Sequence, residues 1–157
     1  MKKILLVVIL VALLSASAGA VDFGIGVKTG AAFQAYYGGM FFVGAGAEVI
    51  FSLANGMGLG VELDAFGLVA FDDLSYYILV PILLKYRIPA RFGYFTFGLG
   101  PEVVDGSYTS VSLHILAGFA FNAGPGYFIL EVRGSTDFES AIYRDYVGAI
   151  IGYTFEF

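Results

Sequence analysis

The sequence predicts an all-β chain: an eight-stranded antiparallel up-and-down β-barrel that crosses a membrane. Three observations carry that expectation. Hydrophobic residues fill 59% of the 157 positions and charged residues only 13%, against about 45–50% and about 25% in a soluble globular domain. A single apolar run approaches the length of a lipid-spanning helix, and it stands at the extreme N-terminus. The rest of the chain alternates with period two, interrupted by many of the 22 glycines and by turn signals.

The N-terminal run reads as an address. Lys2 and Lys3 precede an apolar stretch, Ile4 to Leu14, and small residues follow, with Ala18 and Ala20 in the A-x-A arrangement. This is the pattern of a Sec signal peptide over 1–20, cleaved after Ala20; the apolar stretch is short for an anchor helix, which needs about 20 residues. Cleavage leaves a barrel domain over 21–157 with six basic and 13 acidic residues, a net charge of −7.

The mature chain divides into eight alternating segments: Asp22–Phe33, Met40–Leu53, Met57–Ala70, Tyr76–Ile88, Gly93–Val104, Val111–Asn122, Tyr127–Gly134 and Tyr146–Phe157. In the second, Phe41, Val43, Ala45, Ala47, Val49 and Phe51 share a face opposite Gly44, Gly46, Glu48 and Ser52. In the third, Leu59, Val61, Leu63 and Ala65 oppose Gly60, Glu62 and Asp64, and the sixth and eighth repeat the pattern. Turn signals separate the segments, among them Asn55-Gly56, a strong hairpin cue, and Gly124-Pro125. One face is apolar throughout; the other is glycine with isolated charges. A water-facing exterior needs more charge than that second face holds. The apolar face is therefore expected to meet lipid and the other to line a small lumen.

Parity about the turns points Lys28, Glu48, Glu62, Asp64, Lys85, Arg87, Glu102, His114, Glu131, Arg133 and Glu156 inward. Counting places Glu48 opposite Glu62, Lys85 near Glu62, Lys28 diagonal to Glu48, and Glu102 near His114. Facing carboxylates need a cation between them, and Lys28 and Lys85 are the candidates. An eight-stranded barrel has room for its own side chains, so this set is expected to form a salt-bridged plug. A narrow pore using Lys28, Glu48, Glu62, Lys85 and Arg133 is the alternative. Pro81 and Pro101 fall inside strands, where proline cannot donate to a ladder; a bulge or ladder gap is expected there, which leaves the facing of Tyr76–Val80 open.

Aromatic residues gather at segment ends, as the two interfacial girdles of a membrane barrel require. Tyr76, Tyr108, Tyr143 and Tyr146 belong to one, and Tyr86, Tyr94, Phe121, Tyr127 and Phe155 to the other. Six acids, Asp72, Asp73, Asp105, Asp137, Glu139 and Asp145, fall in the expected outer loops beside Arg144. Solvation accounts for them, with divalent cations or a basic partner as the sharper alternative.

Several classes drop out. With no Cys there is no disulfide scaffold, thiol nucleophile or lipid-anchoring cysteine. The single His and the acidic balance leave no His-rich metal site, no expected cofactor and no basic patch for nucleic acid. Ser112-x-His114 reverses the His-x-Ser order of outer-membrane lipid A deacylases, and no second His completes a triad, so an enzyme is not expected.

Two motifs carry a resemblance. Pro81-Ile82-Leu83-Leu84-Lys85-Tyr86, followed by Phe97-Gly98-Leu99-Gly100-Pro101-Glu102, resembles the PorT-like outer-membrane β-barrel family. That family has a similar Pro-Leu-Leu-Leu-Lys-Tyr strand and then a Gly-x-Gly-Pro strand. The wider pattern is similar to small eight-stranded barrels of the OmpX/OmpA type. The ending Tyr153-Thr154-Phe155-Glu156-Phe157 resembles the C-terminal signal, here Tyr153, Phe155 and Phe157, read by the barrel assembly machinery. The resemblance implies a bacterial outer-membrane location, outer-membrane lipid and that machinery as partners, and an accessory role in secretion or envelope assembly. Expected roles are thus a structural or surface-interaction barrel, a narrow pore, a PorT-like accessory or, least favoured, a secreted lipocalin-like ligand binder.

Overall fold

A computed structural model describes residues 21–157 except 35–37, 54–55, 71–75, 106–109 and 137–144. The expected signal peptide, Asp72, Asp73, Asp137, Glu139 and Arg144 lie outside the described residues, as do the side chains of Tyr76, Asp105, Tyr108 and Tyr143. Eight strands follow in order: β1 Val21–Gln34, β2 Gly38–Ser52, β3 Gly58–Ala70, β4 Tyr76–Ala90, β5 Gly93–Asp105, β6 Ser110–Ala123, β7 Gly126–Thr136 and β8 Tyr146–Glu156. Each pairs antiparallel with its sequence neighbours and β8 returns to β1, so the sheet is a closed barrel. The sequence-level boundaries move by a few residues; β4, for instance, continues through Pro89 to Ala90 and leaves Arg91–Phe92 as a two-residue turn. At the next turn on the same end, Gly124 has φ 63° and precedes Pro125, the arrangement a type II′ hairpin requires. We call this the turn end and the opposite one the loop end.

Register sets the barrel's dimensions. A circuit of paired residues runs Asp22, Ile50, Gly60, Lys85, Gly98, Leu116, Arg133, Gly148 and back to β1 at Ala32. The path returns ten residues further along β1. For eight strands that stagger tilts them by about 40° and gives a backbone radius of about 8 Å. A strand of 14 residues such as β1 then rises about 35 Å along the axis, enough for a hydrocarbon core of about 30 Å.

The two faces separate by parity. Outward positions carry large apolar side chains, such as Val27 (64% exposed), Val43 (57%), Val132 (56%) and Ile151 (56%). Two polar groups in this outer band are bonded within the protein: Thr29 Oγ1 donates to the Phe42 carbonyl at 2.9 Å, and Tyr153 Oη to the Ala123 carbonyl at 2.6 Å.

Neither proline inserts a residue: β4 keeps one register with β3 and with β5 on both sides of Pro81 and Pro101. There is no bulge, and inward parity runs unbroken through Leu79, Pro81 and Leu83. The ladder is interrupted instead. The Ala90–Gly93 closing pair makes even residues of β4 bond to β5 and odd residues to β3. Ile82 then faces Pro101 and Asp64 faces Pro81, and neither proline has an N–H to give. Pairing lapses at Ile82–Leu83 opposite Gly100–Pro101 and at Asp64–Ala65 opposite Val80–Pro81, and resumes beyond. The carbonyls of Ile82 and Asp64 therefore lack a ladder donor. Pro81 itself pairs with Glu102 rather than with Pro101.

Candidate functional site: the charged lumen

Glycine makes room for the charges. β1, β2 and β8 turn Gly24, Gly26, Gly44, Gly46, Gly148 and Gly152 inward, and long side chains from β3 to β7, with Lys28 and Glu48, fill the space. A Cβ at Gly24 would stand 2.8 Å from Glu48 Cγ, one at Gly152 3.0 Å from Lys28 Cγ, and one at Gly46 would strike the Asp64 carboxylate. Of the eleven residues the sequence points inward, Lys28, Glu48, Glu62, Asp64, Lys85, Arg87, Glu102, His114, Glu131 and Arg133 are buried, none more than 4% exposed.

Nearest the turn end, Arg87 donates to Glu48 Oε1 at 2.6 Å and to Glu156 Oε1 at 3.1 Å. Tyr127 Oη bonds both Glu48 and Arg87. The guanidinium carbon stands 4.7 Å from the Tyr127 ring centroid and 5.3 Å from that of Tyr94. Glu156, inward by parity, sits at the mouth and is only partly buried.

At mid-lumen Glu48 and Glu62 are cross-strand partners, an arrangement that repels unless a cation intervenes. Lys85 supplies it: its Nζ donates to Glu48 Oε2 at 3.0 Å and to Glu62 Oε2, and lies 3.6 Å from Glu131 Oε1. Lys28 does not reach Glu48. It lies opposite Gly44 in register, and its Nζ bonds Asp64 Oδ1 at 2.7 Å and Glu62 Oε1 at 2.9 Å. Arg133 knits three carboxylates, with 2.5 Å to Asp64 Oδ2, 2.7 Å to Glu62 Oε1 and 2.9 Å from Nε to Glu131 Oε2.

Towards the loop end the lumen changes character. Glu102 accepts from Tyr146 Oη at 2.7 Å and Ser112 Oγ at 3.2 Å, and its Oε2 lies 2.7 Å from His114 Nδ1. Ser112 and Ser135 share a 2.7 Å hydrogen bond. Ala32, Met40, Phe42, Phe66, Leu79 and Ile150 pack with Tyr146 around this group. A smaller apolar cluster of Ala120, Tyr127 and Ile129 lies on the other side of the ion network.

Tyr127 and Tyr146, assigned to the girdles from the sequence, are instead buried in the lumen at 1% and 6% exposure. They share inward parity with Glu131 and with Ile150, a signal that proximity to strand ends obscured. Ser135, Phe42 and Phe66 were also absent from the expected set, although parity turns them inward too. Tyr153, Phe155 and Phe157 point outward or sit at the turn end, with Phe157 77% exposed. Among the described residues no group of three or more His, Cys, Asp or Glu is arranged to hold a metal.

These features define a class: a closed eight-stranded antiparallel barrel with an apolar exterior and a paired-charge interior. Solved structures share the fold. The N-terminal β-barrel domain of Pseudomonas aeruginosa OprF matches with a TM-score of 0.55 at 16% identity, over 87% of this chain and 97% of that one. Neisserial surface protein A (NspA) matches with a TM-score of 0.56 at 12% identity, over 88% of this chain and 97% of that one. No protein-family model matches the chain, and no curated protein does. At these identities the likeness establishes the fold.

Proposed function

We propose that the protein is an integral outer-membrane barrel whose lumen is closed by a salt-bridged core, and that its role in the bacterial envelope is structural rather than conductive. One observation carries this reading: a continuous network from Lys28 on β1 to Glu156 on β8 ties facing walls across the lumen. Four cations, Lys28, Lys85, Arg87 and Arg133, meet Glu48, Glu62, Asp64 and Glu131, with Glu156 at the mouth. Water filling a pore would have to displace paired charges and an aromatic cluster together. The exterior supports a bilayer setting, because a closed barrel leaves no open sheet edge while presenting apolar side chains to lipid. The outer-membrane setting follows the fold's likeness to OprF and NspA and the signal-peptide pattern of residues 1–20. The assembly machinery would read Tyr153, Phe155 and Phe157 at the turn end. The PorT-like motifs support an accessory role in secretion as a second reading; they occupy β4 and β5, where the ladder is interrupted.

Fractionation of expressing cells tests the location. The expected result is recovery in the outer-membrane pellet after an alkaline wash, with a band that migrates faster unheated than boiled. Recovery in the aqueous phase with no heat-modifiable band would overturn the membrane reading.

A further inference from the structure

Glu102 is the lumen carboxylate that the cation network does not serve. Among the described residues its ion-pair partner is His114, and neither Lys nor Arg bridges it. Elsewhere in the lumen four Lys or Arg residues meet five carboxylates, Glu156 at the mouth included, so no cation is left over for Glu102. Tyr146 from β8 donates to the same carboxylate oxygen that His114 approaches. The other charged groups acting there are Arg133 of β7 and Asp64 of β3, 2.5 Å apart, and Lys28 of β1 bonds the same Asp64 at 2.7 Å. β1, β2 and β4 contribute Ala32, Met40, Phe42 and Leu79 to the apolar cluster around Tyr146.

The backbone gives this pair a lever. Glu102 follows Pro101 and is the cross-strand partner of Pro81. It therefore stands at the edge of the interrupted ladder, beside the Ile82 and Asp64 carbonyls that lack a ladder donor. We propose that Glu102 and His114 form a proton-operated latch: with one proton between them the loop-end half of the lumen stays packed, and loss of that proton loosens the Val80–Val103 stretch of wall while the network around Lys85 and Arg133 holds. The reason is electrostatic. With one proton the pair is neutral overall; without it the fully buried Glu102 carboxylate has no cation paired to it, and opening hydrates it. Opening then releases a proton, so protection is full at lower pH and falls as pH rises, by up to about tenfold per pH unit. This rests on the closed-lumen reading and adds its regulation.

The single His makes the test direct. The full mature chain in phosphatidylcholine nanodiscs is labelled with ¹⁵N and followed from about pH 5 to about pH 8. Imidazole shifts report His114, and amide exchange at Val80, Ile82, Glu102 and Val103 is corrected for its intrinsic pH dependence. The expected result is loss of protection at those amides as the imidazole signals move, with Glu62 and Arg133 amides unchanged. Glu102→Gln, neutral at every pH, is expected to abolish the pH dependence of protection. His114→Gln is expected to leave protection low at neutral pH. Protection that stays constant across the range, an imidazole that does not titrate, or a Glu102→Gln variant as pH-sensitive as the parent would each overturn the latch while leaving the barrel intact. A chain that does not insert would contradict the membrane-barrel reading itself.

Discussion

Lys85→Met is the most informative single change in the ion network. Its ammonium joins three carboxylates from three strands: Glu48 of β2, Glu62 of β3 and Glu131 of β7. Methionine fills a similar volume and removes only the charge. Glu62 keeps Lys28 and Arg133, and Glu48 keeps Arg87, so the lost contacts are partly covered. The direct Glu48–Glu62 pairing, however, is left with no cation bridging it. Breaking a buried pair by removing one partner costs about 3–5 kcal/mol, and the remaining cations place the expected loss near the lower end, about 3 kcal/mol. Urea titration of protein refolded into phosphatidylcholine vesicles, scored by the fraction of the fast-migrating unheated band, measures it. Adding Glu62→Gln removes the stranded charge, so the double variant is expected to recover about 1–2 kcal/mol relative to additivity. A Lys85→Met loss below about 1 kcal/mol, the size of a surface pair, or strict additivity of the two changes, would refute the bridging role.

Three further outcomes follow from the same contacts. Pro101→Ala supplies the N–H that the Ile82 carbonyl lacks and is expected to raise urea stability by about 1 kcal/mol; an unchanged or lower midpoint would count against the ladder-gap explanation. Tyr127→Phe removes the hydroxyl shared by Glu48 and Arg87 and is expected to cost about 1–3 kcal/mol, whereas a tyrosine at the membrane interface would barely register in the same titration. Gly46→Ala drives a Cβ into the Asp64 carboxylate, while Gly134→Ala brings its Cβ no closer than 3.3 Å to the Tyr146 carbonyl. The first should lower the folded fraction on refolding and the second should match the parent, and equal behaviour would contradict the glycine-wall packing.

The strands were legible because alternation in a barrel is enforced on both sides, by lipid and by the lumen, and a slip of one residue exchanges the faces. Facing of the lumen charges follows from the same parity. Their partners do not. Counting about hairpin turns gives neighbours on adjacent strands, but long side chains in a tilted barrel reach across the lumen, as Arg133 reaches Asp64 and Arg87 reaches Glu156. Lys28 was assigned to Glu48 by adjacent-strand counting and goes to Asp64, two strands away. Tyr127 and Tyr146 were read as interfacial from their place at strand ends, although parity already turned them inward. The prolines suggested either an extra residue or missing bonds, and only the registers on both sides distinguish the two. Closure of the lumen depends on how far β3–β7 side chains extend over the glycine wall, which composition does not record.

The central claim, a lumen closed by paired charges, meets its most direct test in planar-bilayer recording of the purified protein. The expected result is a flat trace for the parent, with conductance steps appearing in Lys85→Met with Arg133→Met, where two of the cations that bind Glu62 are gone. Reproducible unit steps from the parent, insensitive to those substitutions, would contradict it.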